Sequence, residues 1–264
     1  MTKVKFSNSP SASANSLDSS TVIAGLQDVP YSVRESARAK NVSIKVSRSG
    51  RIELVIPKGF SHRRLSEIVR DRQDWIAKTL NRLEAERQSL PQDLVSDRPD
   101  RIVLGALPET WEIAYTAASR DRLRYRVTGE NRLTIEGDIS SVDLCQEALR
   151  HWLAHKAKAH LPQWLRQVSH DVGLACNDIS IRKQRTLWAS CSSKKNISLN
   201  YKLLFLPPHL VRYIFVHELC HTVHMNHSSR FWNLVGEIDS HYEWKDQELR
   251  DAWKYVPQWV EEAS

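Results

Sequence analysis

From Tyr31 onward the chain breaks into short runs in which apolar and β-branched residues alternate with polar ones. Tyr31–Glu35, Asn41–Ser47 and Arg51–Ile56 predict three strands, and Ser49-Gly50 between the last two predicts a hairpin. Pro57, Gly59 and Ser61 end this run. From His62 to about Glu86 the period changes. Leu65, Ile68, Val69, Trp75, Ile76, Leu80 and Leu83 recur near helical spacing, which predicts one or two amphipathic helices. Residues 87–100, with Pro91 and Pro99, read as a polar connector. A second set of strands is expected at Arg101–Leu107, Thr110–Thr116, Leu123–Val127 and Arg132–Glu136. Gly105, Pro108, Gly129-Glu130-Asn131 and Gly137 mark the turns.

The pattern then turns helical. Val142 to about Val168 carries Leu144, Ala148, Trp152, Leu161, Trp164 and Leu165 on recurring faces, and Pro162 inside it predicts a kink or a break. Asp178–Arg185 and Asn196–Tyr201 alternate like strands. Pro207-Pro208 opens a further helix, as proline does in a first turn. Leu210, Val211, Ile214, Phe215, Leu219 and Val223 give that helix a mostly buried face. Residues 1–29 are poor in large apolar side chains and rich in Ser, Asn, Ala and Pro, so they read as a disordered tail. The expected class is α+β. Residues 30–140 form a small β-rich N-terminal subdomain with one or two helices, and residues 141–264 form a second domain around the Pro208 helix.

Composition narrows the function classes. Hydrophobic residues are 41% and charged residues 26% of the 264, an ordinary globular balance. No apolar run is long enough to span a membrane, so no membrane partner is expected. The N-terminus lacks the apolar core of a secretory signal, and the four cysteines (Cys145, Cys176, Cys191, Cys220) form no CxxC pair. Both features point to reduced thiols in the cytoplasm. The net charge of +7 is unevenly spread. Residues 31–72 hold eleven Lys or Arg against four acids, and residues 181–202 hold six with no acid. Such segments can attract nucleic acid, or simply form solvated faces. The nine tryptophans mostly sit among aliphatics at helical spacing, which favours core packing over a stacking surface.

The chemistry concentrates in His217-Glu218-Leu219-Cys220-His221, an HExxH. On a helix, residues four apart lie about 40° apart in azimuth and about 6 Å apart along the axis, so both imidazoles reach one metal ion. Glu218 projects beside that ion, where it can take a proton from the water the metal activates. An uncompensated His-Glu-His group inside an apolar helix would be costly to bury, and a metal supplies the compensation. A catalytic zinc needs a third protein ligand. His227 serves if the helix ends near Met225 and the chain turns back. His224 is too far along a straight helix to converge and reads as an outer or surface residue. Glu237 is a further option. Cys220 points off the ligand face and reads as packing.

The residues Trp188 to Ser193, Asn196 to Asn200, His217 to His227 and Phe231-Trp232 resemble the YgjP-like metallopeptidase domain, a family related to SprT-like and Wss1-like zinc proteases. The likeness extends to Tyr31–Arg34 through Lys58-Gly59 and to Arg72–Ile76. It implies a zincin-like catalytic domain, with one Zn2+ held by His217, His221 and His227 and with Glu218 catalytic. Leu187 and Ala189 depart from the Arg and Gly usual around the strand Trp, and His224 stands where relatives often carry Glu.

The expected activity is therefore hydrolysis of a peptide or protein substrate by a metal-activated water, with Glu218 as general base. A substrate could pair with the edge of strand Asn196–Tyr201. Trp188, Ser190, Asn200, His224 and Tyr242 are candidate cleft residues, and Tyr242 or His241 a candidate oxyanion donor. Two other readings use the same residues. A phosphoanhydride hydrolase would hold nucleotide phosphates with Arg182, Lys183, Arg185, Lys194 and Lys195. A DNA-associated module, or a DNA-stimulated protease, would use the basic segments 31–72 and 181–202.

Overall fold

The computed structural model describes residues 31–47, 50–88, 90–118 and 123–260. The tail expected at 1–29 lies outside them. The chain divides into two compact units, one up to Ala85 and one from Glu86.

In the first unit, β1 (Tyr31–Ser36), β2 (Ser43–Val46) and β3 (Ile52–Pro57) form a sheet of order β1-β3-β2. The central β3 is parallel to β1 and antiparallel to β2, the latter as the expected hairpin. Gly50 turns that hairpin at φ +80°, a conformation L side chains rarely adopt. The helical stretch is two helices, α1 (Leu65–Asp71) and α2 (Gln73–Gln88), separated at Arg72. Leu65, Val69 and Ile76 pack on Tyr31, Ile52, Leu54 and Ile56 to make one small core. Burying each such aliphatic side chain contributes about 1.5–3 kcal/mol.

The second unit begins with a single helical turn, α3 (Gln92–Val95), inside the expected connector. Strands β4 (Arg101–Leu104), β5 (Glu109–Ala117), β6 (Arg124–Gly129) and β7 (Arg132–Gly137) form a sheet of order β4-β5-β7-β6. The sequence pattern groups this sheet with the N-terminal strands, but its core lies elsewhere. Ile102, Leu104, Leu133 and Ile135 share one buried cluster with Leu149 and Leu153 of α4 (Val142–Asp171) and with Leu203–Leu206. The contact is close: Ala106 N–H donates to the Leu204 carbonyl at 3.1 Å. A Cβ on Gly105 would lie 2.9 Å from the Phe205 carbonyl oxygen.

Helix α4 starts at Ser141, whose side chain accepts from Leu144 N–H, and continues through Pro162. The predicted break does not occur. Leu161 and Leu165 on either side are fully buried, and Trp164 meets Phe215 edge-on at 5.4 Å. That packing outweighs the lost backbone hydrogen bond.

A second sheet, of order β8-β10-β9, contains β8 (Ile179–Arg182), β9 (Ala189–Cys191) and β10 (Ile197–Asn200). Strand β10 is central, with β8 parallel on one side and β9 antiparallel on the other. It therefore has no free edge for a substrate, contrary to the sequence expectation; β8 and β9 are the outer strands. After a 3-10 turn at Tyr201–Phe205 comes α5 (Pro208–Cys220), buried on nearly every side, with Pro208 in its first turn. Helices α6 (Ser229–Ile238) and α7 (Tyr242–Arg250) and two 3-10 turns follow, the last carrying buried Trp259 and Val260. Among the described residues no helix is long and apolar enough to cross a membrane.

Candidate metal centre

Helix α5 delivers its polar residues at its C-terminal end. The chain before them is a solid apolar run, and its last turn carries His217 and Glu218, with His221 as the capping residue. All three are buried, at 4–9% exposure. The helix stops earlier than Met225. The loop that follows brings His227 back, so that its Nε2 lies 3.1 Å from His217 Nε2. The ring centroids of His217, His221 and His227 stand 4.7–5.1 Å apart. One ligand atom from each of the three rings lies within 4.8 Å of the others.

This donor set fits a divalent ion. Tetrahedral ligands at zinc–nitrogen distances are separated by roughly 3.3 Å, close to the His217–His227 spacing. The three rings are also neutral at neutral pH, so each has a nitrogen lone pair to offer, as metal binding requires. Burial, reinforced by the two neighbouring histidines, holds His217 down to about 3. Burial likewise lowers His221 and His227. His221 Nδ1 lies 3.0 Å from the His224 carbonyl, which can only accept. Nδ1 therefore carries the proton and Nε2 keeps its lone pair.

Glu218 sits beside this cluster in apolar surroundings that push its carboxyl up to about 8, opposed by a hydrogen bond from the Cys191 backbone N–H. That bond places the free edge of β9 against the carboxylate. Burial, with the Glu218 charge next in importance, raises the Cys191 thiol to about 12, so it stays protonated and unreactive. Cys220 is fully buried in the core.

The other sequence candidates separate. Ser190 lies on β9 opposite Ser198. Trp188 stacks on Trp253 at 4.1 Å, at the approach to β9. Asn200 is no cleft residue: it is fully buried and braces the loop before β9. Its amide donates to the Gln184 and Leu187 carbonyls, both at 2.8 Å, and its oxygen accepts from Lys202 N–H. His224 contributes its carbonyl to His221, and its imidazole is outside the cluster. Glu237 is exposed on α6, also outside the cluster. His241 caps α7 through a backbone N–H to Asp239. Tyr242 stacks on Trp232 at 5.5 Å.

Two features escape sequence reasoning. Phe231 is fully buried and packs 4.5–5.0 Å from all three imidazoles. Asp246, on α7, bears electrostatically on His227. In the sequence Phe231 stands out only as part of the family resemblance, which assigns it no role.

No curated protein matches the chain. Among solved structures, the metallopeptidase zymogen abylysin of Pyrococcus abyssi is 24% identical. That match covers 34% of this chain and 92% of the other at a TM-score of 0.32. The metallopeptidase zymogen jannalysin of Methanocaldococcus jannaschii is also 24% identical, over 36% and 97%, at 0.32. The family model described as the YgjP-like metallopeptidase domain matches residues 40–252. That span takes in both compact units and the whole histidine centre, and the chain belongs to the YgjP-like metallopeptidase domain family.

Proposed function

We propose that the chain is a zinc-dependent peptidase of the zincin type, with His217, His221 and His227 as metal ligands and Glu218 as general base. The observation that carries this reading is the convergence of three unprotonated imidazoles beside one buried carboxylate. Three nitrogen donors suit zinc. When bound there, the ion supplies a Lewis acid for the scissile carbonyl and makes water acidic enough to lose a proton near neutrality.

Glu218 accepts that proton and passes it to the leaving amine. Strand β9 supplies the docking edge. Trp188 and Ser192 exchange backbone hydrogen bonds with the β10 side. Strand alternation then turns the Ala189 and Cys191 backbone outward. An extended peptide pairs along that edge, beside the carboxylate that Cys191 N–H holds.

The test is Glu218→Gln, with metal content and peptide cleavage measured on the same preparation. We expect zinc to be retained and kcat to fall at least about 100-fold. Cleavage at the wild-type rate would refute the mechanism.

A further inference from the structure

His227 differs from the other two histidines in one respect: no helix holds it. His217 lies in the last turn of α5 and His221 caps that helix, whereas His227 is in the irregular segment before α6 and is largely exposed. A side chain on a loop loses more freedom when it is fixed than one on a packed helix. Something else has to set the direction of its ring.

The structure shows what does. The His227 ring stacks on Trp232 with centroids 5.6 Å apart and planes 29° apart. Trp232 stacks in turn on Tyr242, at 5.5 Å and 22°. These are offset stacks of the favoured kind. The pile runs from the loop, across α6, to the first residue of α7. Gly236 makes room for its far end: a Cβ there would lie 3.3 Å from Tyr242 Cε1. Phe231 closes the inner side, edge-on to His227 at 4.8 Å and edge-on to Trp232 at 5.1 Å. The His227 ring is thus held on one face by Trp232 and on its flank by Phe231, with Nε2 directed at His217.

We infer that the stack of Trp232 and Tyr242 is a positioning device for the third metal ligand, fixing the His227 imidazole in its binding orientation before any ion arrives. This rests on the three-histidine reading above. Trp232 and Tyr242 are positioning residues: they act through His227, and the first of them touches it. An aromatic stack of this kind changes an equilibrium by roughly 2–10-fold when removed.

The experiment measures zinc affinity by competition with a chromogenic chelator, and the visible spectrum of the Co2+-substituted protein, for full-length wild type and four variants. These are Trp232→Ala, Trp232→Phe, Tyr242→Ala and His227→Ala, each first checked for folding by circular dichroism without metal. We expect Trp232→Ala to bind zinc several-fold to about 10-fold more weakly and to alter the Co2+ bands. Tyr242→Ala, one ring removed, loses less. Trp232→Phe, which keeps a stacking face, recovers most of the affinity. If Trp232→Ala does not fold, Tyr242→Ala and Trp232→Phe carry the same comparison. Wild-type affinity and an unchanged spectrum in the stack variants, with His227→Ala impaired, would overturn the inference alone. An unimpaired His227→Ala would instead overturn the ligand assignment itself.

Discussion

Glu109 ties the four-stranded sheet to the long helix behind the metal centre, and its removal has a calculable cost. Its carboxylate accepts from Lys156 Nζ of α4 at 2.8–3.0 Å and from Trp111 Nε1 at 2.7 Å. Lys156 also lies 4.9 Å over the Trp111 ring, which itself meets Trp152 edge-on at 5.0 Å. The Lys156 and Glu109 side chains are only 16% and 23% exposed. Glu109→Ala leaves an indole N–H and a mostly buried ammonium without their acceptor. Each orphaned donor costs about 1–2 kcal/mol. Partial solvent access to Lys156 reduces its share, so the total is about 2 kcal/mol. For a unit of this size, that lowers Tm by about 4–8 °C. Glu109→Gln keeps an acceptor for Trp111 and loses only the charge, so it falls about midway.

The pH dependence follows from the same contacts. Burial alone would raise the Glu109 pKa. The hydrogen bonds from Lys156 and Trp111, with the Lys156 charge, more than offset it and hold the group below its usual 4.5. The folded pKa thus lies below the unfolded one. The contribution is complete above the unfolded value and is lost as pH falls through the folded value. Thermal melts of wild type and Glu109→Ala at a series of pH values should show a constant gap from neutrality down to about pH 5, closing in stronger acid. A gap that stays constant or widens in acid would refute the assignment. Because the change acts on scaffold stability, kcat well below the melting range should not move.

Two further outcomes are expected. Asn200→Ala strands the Gln184 and Leu187 carbonyls and should cost about 2–4 kcal/mol in a urea titration. The Trp188–Trp253 stack should report the loosened loop by fluorescence. Lys194 and Lys195 are exposed in the turn joining β9 to β10. Reversing both to Glu should raise KM for acidic peptides several-fold at low salt while kcat holds, the difference fading as salt screens it. An equal effect on neutral peptides would point to a structural cause.

What was legible in the sequence follows physical range. The HExxH spacing, the start of α5 at Pro208 and the β2–β3 hairpin are decided within a few residues, and local pattern carries them. Strand β9 is different. Ala189-Ser190-Cys191 has no alternation worth reading, and it is a strand because β10 pairs with it. The alternating Ile197–Asn200 reads as an edge strand, yet it is internal because β8 and β9 pair on its two sides, which local pattern cannot show. At Pro162 the helix is not broken. A strong local rule yields to Leu161, Leu165 and the Trp164–Phe215 contact, which only the tertiary structure reveals. The association of β4–β7 with the 3-10 turn Tyr201–Phe205 depends on the Gly105–Phe205 approach, between residues far apart along the chain.

The cost built into the centre explains why it belongs to a metal. Three imidazoles and a carboxylate occupy the end of a helix that is otherwise apolar on almost every side. Burial holds the histidines neutral, and His217 Nε2 and His227 Nε2 stand 3.1 Å apart, a pair that shares one proton until a cation takes both lone pairs. The Glu218 carboxylate, disfavoured by the same surroundings, adds a negative charge when ionised. The burial of these polar groups is unfavourable alone and becomes favourable around a cation. Loading the site therefore stabilises the fold as well as equipping it, because an ion that binds only the folded chain shifts the unfolding equilibrium with its free concentration relative to its Kd. The aromatic pile on His227 makes that gain larger: part of the ordering is already complete in the empty protein, so less of the binding free energy is spent on the loop.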